Sequence, residues 1–196
     1  MSALCAALAQ AQGTLVFDQQ SSTDETYSSG GVPIQFYGFV GQSFTPSLST
    51  VGFIRIKMFD GVPANGIGAT LVMNLRSNAI NGPILGTTTL VLGNGFAGST
   101  NFVFSTAVPV VPSLTYFFET SVQSGDEWGI RLIGDNYANG NVYGGMTSAT
   151  GNDLWFREGI IVVPEPTSIS LVFVGGGLVA LFVRRKLRRE LIEEKS

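Results

Sequence analysis

Histidine is absent from this 196-residue chain, and cysteine occurs once, at Cys5. Without imidazole there is no Ser-His-Asp triad and no His-ligated zinc, copper, haem or non-haem iron. One thiol excludes an intrachain disulfide, a zinc ribbon and a thiolate-held iron–sulfur cluster. Charge is also scarce. Asp, Glu, Lys and Arg make up 13% of the residues, about half the ~25% of an ordinary soluble domain. The net charge of −3 argues against nucleic acid as a partner. Glycine, by contrast, is abundant, at 25 residues.

The small net charge conceals a division along the chain. Residues 1–183 hold 5 basic and 11 acidic side chains, a balance of −6, whereas residues 184–196 hold 6 basic and 3 acidic, a balance of +3. The boundary follows the longest apolar run, residues 169–183, and residues 167–183 carry no charge. A helix of that length spans about 25 Å, slightly short of a ~30 Å hydrocarbon core. Snorkelling of Arg184 and Arg185 supplies the remainder. A transmembrane helix over 167–186 is therefore expected, stopped by Arg184, Arg185, Lys186, Arg188 and Arg189. Such a basic cluster places the C-terminus in the cytoplasm and the preceding chain outside it. Residues 190–196 would be a short cytoplasmic tail.

The order Val163-Pro164-Glu165-Pro166-Thr167, a short Gly-bearing apolar helix, and an arginine-rich end resembles the PEP-CTERM sorting domain of exopolysaccharide-producing Gram-negative bacteria. The same tail is also known as an ice-binding-protein C-terminal domain. The resemblance covers residues 163–189 and matches the motif at Pro164, Glu165 and Pro166. It implies recognition and cleavage near the motif by a membrane enzyme, exosortase, followed by release or transfer of the outer domain. Two prolines would keep the segment extended and out of any helix, leaving one carboxylate for a cleft to read. The expected partners are thus a lipid bilayer and an exosortase-like enzyme, with exopolysaccharide as a further candidate. The expected location is the inner membrane, then the cell surface or extracellular matrix.

At the other end, residues 3–8 are apolar, and Ala9-Gln10-Ala11 is a small-residue cleavage site. No Lys or Arg precedes it. The reading is a signal-peptide remnant over 1–11, with translation starting upstream and Cys5 removed on export.

Between these ends the apolar period is two rather than 3.6. Ile54, Ile56 and Met58 fall on one face and Arg55 and Lys57 on the other; Leu71, Met73 and Leu75 oppose Thr70, Val72, Asn74 and Arg76. Strands are expected at 14–18, 41–45, 53–58, 69–76, 86–92, 101–105, 115–122, 127–133 and 153–158. They are separated by turn signals such as Asp60-Gly61, Asn81-Gly82-Pro83 and Asn139-Gly140-Asn141. The fold class is all-β: a single antiparallel β-sandwich or jelly roll over 13–160, followed by the one C-terminal helix. Residues 41–46, 123–129 and 153–158 loosely resemble the ectodomains that often precede such tails. That resemblance implies the sandwich and no particular activity.

Chemistry within the sandwich has three candidate forms. A glycosidase-type carboxylate pair would have to come from Glu119, Asp126, Glu127, Asp135, Asp153 and Glu158, most of which sit in turns where Asp caps backbone. No cofactor is expected. The one option is a structural Ca²⁺, drawn from an oxygen-rich set centred on Asp135 and Asp153. Aromatic side chains are the third. Trp128 alternates with Ile130 and Leu132 and reads as core, while Trp155 and Phe156 must send one ring to each face. Trp155, Tyr137 and Tyr143 are therefore the candidate glycan contacts. The expected function is an exported, membrane-anchored envelope or matrix protein, processed at Pro164-Glu165-Pro166, with a non-catalytic binding or structural ectodomain. An anchored carbohydrate-active enzyme and an ice- or surface-binding adhesin are the alternatives. A flat ice-binding face would need regular Thr ladders, and Thr87-Thr88-Thr89 alternates faces without repeating.

Overall fold

Alternating apolar residues on consecutive strands demand a second layer to bury against, and a second sheet supplies it. The computed structural model describes residues 13–163. In chain order the elements are β1 (Thr14–Gln20), β2 (Gly30–Pro33), α1 (Ile34–Tyr37), β3 (Val40–Phe44), β4 (Thr50–Asp60), β5 (Ala69–Ser77) and β6 (Ile84–Leu92). They continue with β7 (Ala97–Pro109), β8 (Tyr116–Gly125), β9 (Trp128–Gly134), β10 (Val142–Gly144), β11 (Thr147–Ala149), β12 (Asn152–Leu154) and β13 (Phe156–Val162). A seven-stranded sheet runs β1-β13-β4-β9-β12, with β7 added on β4 and β2 on β9. A six-stranded sheet runs β11-β10-β3-β8-β5-β6. The protein is therefore all-β, with two antiparallel sheets forming a sandwich. The chain divides into two units: Leu15–Ile161 carries the sheets, and the other takes in the two ends, nearly all of it outside the described residues.

Each of the nine expected strands has a counterpart. Ile54, Ile56 and Met58 of β4 are fully buried, as are Leu71, Met73 and Leu75 of β5, so both strands present the expected face to the core. Trp128 is fully buried and stacks with Phe96, ring centroids 6.4 Å apart. Phe44, Phe118 and Phe156 meet between the sheets at centroid distances of 5.5–6.4 Å. Expected strand 153–158 is in fact two, β12 and β13, hinged at Trp155. Trp155 N–H donates to the Arg131 carbonyl, and Lys57 N–H donates to the Trp155 carbonyl, which carries the hydrogen-bond ladder across the break.

The sheets are joined by polar groups as well as by the core. Gln42 of β3 is fully buried; its amide donates to Asp153 Oδ1 at 2.7 Å and accepts from Leu154 N–H at 3.0 Å. Asp153 Oδ2 accepts from the backbone N–H groups of Asn136 and Tyr137. Burial pushes the Asp153 carboxyl above its ordinary value, against the opposing pull of these donors. Replacing Gln42 by Leu would strip the buried Leu154 N–H and one Asp153 oxygen of their partners. The expected loss is about 3 kcal/mol in urea unfolding; a loss below ~0.5 kcal/mol would mean that the two sheets do not rely on this contact.

Glu158 of β13 is a second buried acid, resolved differently. Neither carboxyl oxygen makes a regular hydrogen bond among the described residues; its nearest polar neighbours are the Asp18 carboxylate and the Gln19 backbone N–H. Burial, reinforced by the neighbouring Asp18 charge, pushes its pKa up to about 9. Asp18 itself is held below the ordinary carboxylate value: burial opposes ionisation, but donors from Ser47 and Leu48 outweigh it. Glu158 is thus protonated in the folded protein at neutral pH and ionised in the unfolded chain. Folding then retains a proton that the unfolded state releases, so stability is full below about pH 4.5 and falls as pH rises toward 9. At about 1.4 kcal/mol per pH unit, the loss at pH 7 is about 3–4 kcal/mol. Glu158→Gln should flatten this slope and raise the melting temperature at pH 8 by roughly 6 °C or more; an unchanged slope between pH 5 and 8 would refute the assignment.

Candidate binding site

A cleft opens at the edge of the sandwich where strands of both sheets end. Val32 of β2 and Leu132 of β9 form one wall, Val142 and Gly144 of β10 the other, and Thr147, Ala149 and Asn152 lie at its rim. Tyr37 closes one end, and the enclosed volume is about 230 Å³. The walls are mostly apolar, with a hydroxyl and an amide at the rim, the composition of a ligand cleft that binds through contact and a few hydrogen bonds. Its lining has no carboxylate, so it offers shape and hydrogen bonding rather than proton transfer.

Tyr37 is placed by α1, a single turn that follows Pro33. Ile34 is fully buried and anchors the turn in the core. The Gln35 side chain fixes it laterally: its amide donates to the Asp126 carbonyl and accepts from Trp128 N–H. Phe36 and Tyr37 are left outward, 78% and 43% exposed, with their rings edge-to-face at 4.8 Å. Gly144 lies directly under Tyr37, where an added Cβ would come within 2.7 Å of the ring. Adjacent exposed aromatics against a glycine-floored cleft make this end of the sandwich its candidate binding site. Gly-Gly-Val-Pro ahead of Ile-Gln-Phe-Tyr was the available sign: proline starts a turn, and the next aromatics cannot all face inward.

The expected glycan residues Trp155, Tyr137 and Tyr143 do not line this cleft. Tyr137 is buried, packed edge-on against Phe156 at 5.2 Å; its hydroxyl accepts from Thr45 N–H and donates to Gln19. Trp155 and Phe156 do send their rings to opposite faces, Phe156 into the core, but both are fully buried. The indole N–H of Trp155 donates to the Asp24 carbonyl, which lies in residues 21–29 on the sheet's outer face. Tyr143 is half-buried, its ring edge-to-face with Phe117 at 5.7 Å. None of the three presents an open ring face with the polar neighbours that sugar stacking needs.

The candidate acids are dispersed. Glu119 pairs with Arg76 at 2.7 Å, Asp126 accepts from Asn65 and from the Trp128 indole, and Asp135 is exposed. Of the two Ca²⁺ candidates, Asp153 already has both oxygens occupied by protein donors. Among the described residues no group of three or more acidic, His or Cys side chains could hold a metal ion. Thr88 donates to the Val103 carbonyl and Thr87 to Asn74, so these hydroxyls serve neighbouring strands rather than a regular outward ladder. Pro164, Glu165 and Pro166, the basic residues Arg184, Arg185, Lys186, Arg188 and Arg189, and residues 1–11 lie outside the described residues. No described helix is long and apolar enough to cross a membrane; the expected span, 167–186, is among the residues not described.

No family model and no curated protein matches the chain. Among solved structures, the infectious bursal disease virus VP2 subviral particle is 11% identical over 95% of this chain and 55% of that one, with a TM-score of 0.31. A structure of the Gx strain of that virus is 14% identical over 92% and 53%, with a TM-score of 0.29. This chain spans about half the length of each, and at these scores neither likeness bears on its fold or function.

The site's rigidity rests on Gln35. Gln35→Ala should cost about 1–2 kcal/mol and accelerate amide exchange over residues 34–38 while leaving β5 and β8 protected. Exchange that quickens uniformly, or not at all, would show that Gln35 is not what holds the turn.

Proposed function

We propose that this is an exported surface protein whose sandwich is a non-catalytic binding module and whose C-terminal segment is a membrane anchor carrying a processing signal. The observation that carries this reading is the order of three elements in the sequence: Pro164-Glu165-Pro166, an uncharged run over 167–183, and the basic cluster from Arg184 to Arg189. Each has a physical role that depends on its place. Prolines at these positions disfavour helix in the motif, an uncharged run of this length suits a hydrocarbon core, and a basic end of this kind stops translocation. The sandwich supports the same reading. Its cleft beside Tyr37 is lined for contact and hydrogen bonding.

Processing by an exosortase-type membrane enzyme belongs to this proposal, as does a final location at the cell surface or in the extracellular polysaccharide. Changing Glu165 and Pro166 together to Ala should leave full-length protein in the inner membrane, seen as a higher intact mass than the mature wild type. Normal maturation of the double variant would overturn the sorting role.

A further inference from the structure

We propose that the outer face of the seven-stranded sheet is a binding site for the carboxylates of an acidic polysaccharide, and that Glu25 occupies it in place of the ligand. The inference stands on the sheet alone and is independent of the sorting tail.

Residues 13–163 contain five basic and ten acidic side chains, yet four of the five bases converge here. Because Ile54, Ile56 and Met58 point into the core, Arg55 and Lys57 point out of it; Arg131 alternates with Ile130, and Arg157 with Phe156. Arg55 and Arg157 are directly opposite in the β4–β13 register. Like charges paired across strands destabilise a sheet, so the pair requires an anion.

Glu25 is that anion, and it does not belong to the sheet. It lies in the connection between β1 and β2. Arg55 Nε and Nη2 donate to its two oxygens at 3.0 and 2.7 Å, and Arg157 Nη1 stands 3.8 Å from Oε1. The fork from Arg55 holds the Glu25 carboxyl below its ordinary value. The connection is fixed at its start by buried Ser21, whose hydroxyl donates to the Leu154 carbonyl and accepts from Phe156 N–H; beyond Ser21 it is attached through Glu25 and its main chain. Lys57 Nζ donates to the carbonyls of Glu25 and Tyr27 at 2.8 and 3.3 Å, and the Trp155 indole donates to that of Asp24 at 2.8 Å.

Beneath and beside the fork the surface is aromatic. Arg157 lies 3.4 Å over the Phe17 ring and Arg131 4.1 Å over Phe59. Phe59 lies flat against Gly129, with no space there for a Cβ. The buried Trp155 indole is tied to the connection through the Asp24 carbonyl. A planar two-oxygen acceptor in an arginine fork, next to an indole hydrogen-bonded to a short connection, is the recognition chemistry of a uronate: carboxylate to guanidinium, sugar ring to aromatic face. A ligand carboxylate would exchange with that of Glu25, whose side chain is 40% exposed and thus open to competition. Lifting the connection would then uncover Trp155. Because the protein carries its own competitor, apparent affinity is lowered by the fraction closed.

The test uses the full-length chain in a non-ionic detergent, with polygalacturonate as the probe, dextran as the neutral control and oligo-dT as the phosphate control. Wild type should bind polygalacturonate weakly, with loss at high salt, and Glu25→Gln should tighten binding roughly five- to tenfold. Adding Trp155→Ala to Glu25→Gln should remove the gain, and Arg55→Gln with Arg157→Gln should abolish binding. In the wild-type protein, saturating polygalacturonate should release the connection that carries Glu25 and so quicken amide exchange over residues 22–29, a readout that needs no variant to fold. Tightening that fails to appear in folded Glu25→Gln, equal retention by dextran or oligo-dT, or unchanged exchange over residues 22–29 of the wild type would each overturn the proposal.

Discussion

A carboxylate inside a sandwich must be answered by donors, and the arrangement of one end of this molecule follows from how Asp153 is answered. Its two oxygens accept from Gln42 on the opposite sheet and from the N–H groups of Asn136 and Tyr137. An unsatisfied buried charge costs far more than any single hydrogen bond returns, so these partners are held together as a set. The two N–H donors draw the loop after β9 inward and carry the Tyr137 ring onto Phe156. The same loop then returns its Asn141 carbonyl to Ser43 N–H, which sets β10 on β3 and forms one wall of the cleft. Glu158, a few residues on, shows the other solution: buried beside the Asp18 carboxylate, the acid keeps its proton.

The cleft lies beside this clamp, with Asn152, the neighbour of Asp153, in its lining. On one side the wall is β2 and β9, on the other the short β10–β11 hairpin; α1 stands between them, pinned through Gln35 to the start of β9. The exposed rings of Phe36 and Tyr37 are thus mounted on an element too short to be stable alone and ordered by one buried isoleucine and one amide side chain. A surface built this way has fixed geometry without contributing to the core.

Periodicity made the long strands legible. Along Ile54–Met58 of β4 and Ala69–Leu75 of β5 every second residue is apolar and every such residue is buried, because burial on one face is the force that selects register. The shorter elements β2, α1, β10 and β11 have three or four residues each, too few for a period to register, and they form from contacts with distant strands. The aromatic residues show the same boundary. Opposite faces for Trp155 and Phe156 follow from neighbouring positions, whereas the burial of Trp155 depends on a connection some 130 residues earlier in the chain. Tyr137 reads as a loop aromatic until Asp153 claims its backbone. The turn acids, seen as possible metal ligands or catalysts, are spent on local N–H groups and on arginines for the reason that makes Asp common in turns.

The two faces of the seven-stranded sheet obey different rules, and that difference separates stability from recognition. The inner face is fixed by close packing, where any loss of contact costs core energy. The outer face is held by charge: Arg131 and Arg157 lie over aromatic rings, and a single borrowed carboxylate is brought by a connection that, beyond buried Ser21, is attached mainly through main-chain carbonyls. Segments with few buried apolar contacts and solvent-exposed hydrogen bonds open at low free energy. Residues 22–29 can therefore lift while Ser21 stays on Leu154 and Phe156, which leaves the clamp at Asp153 in place. A domain with a −5 balance over residues 13–163 gains nothing in solubility or packing from gathering four of its five bases on one face. That segregation is what an anionic ligand would require, and Glu25 supplies the local example of the group it would bring.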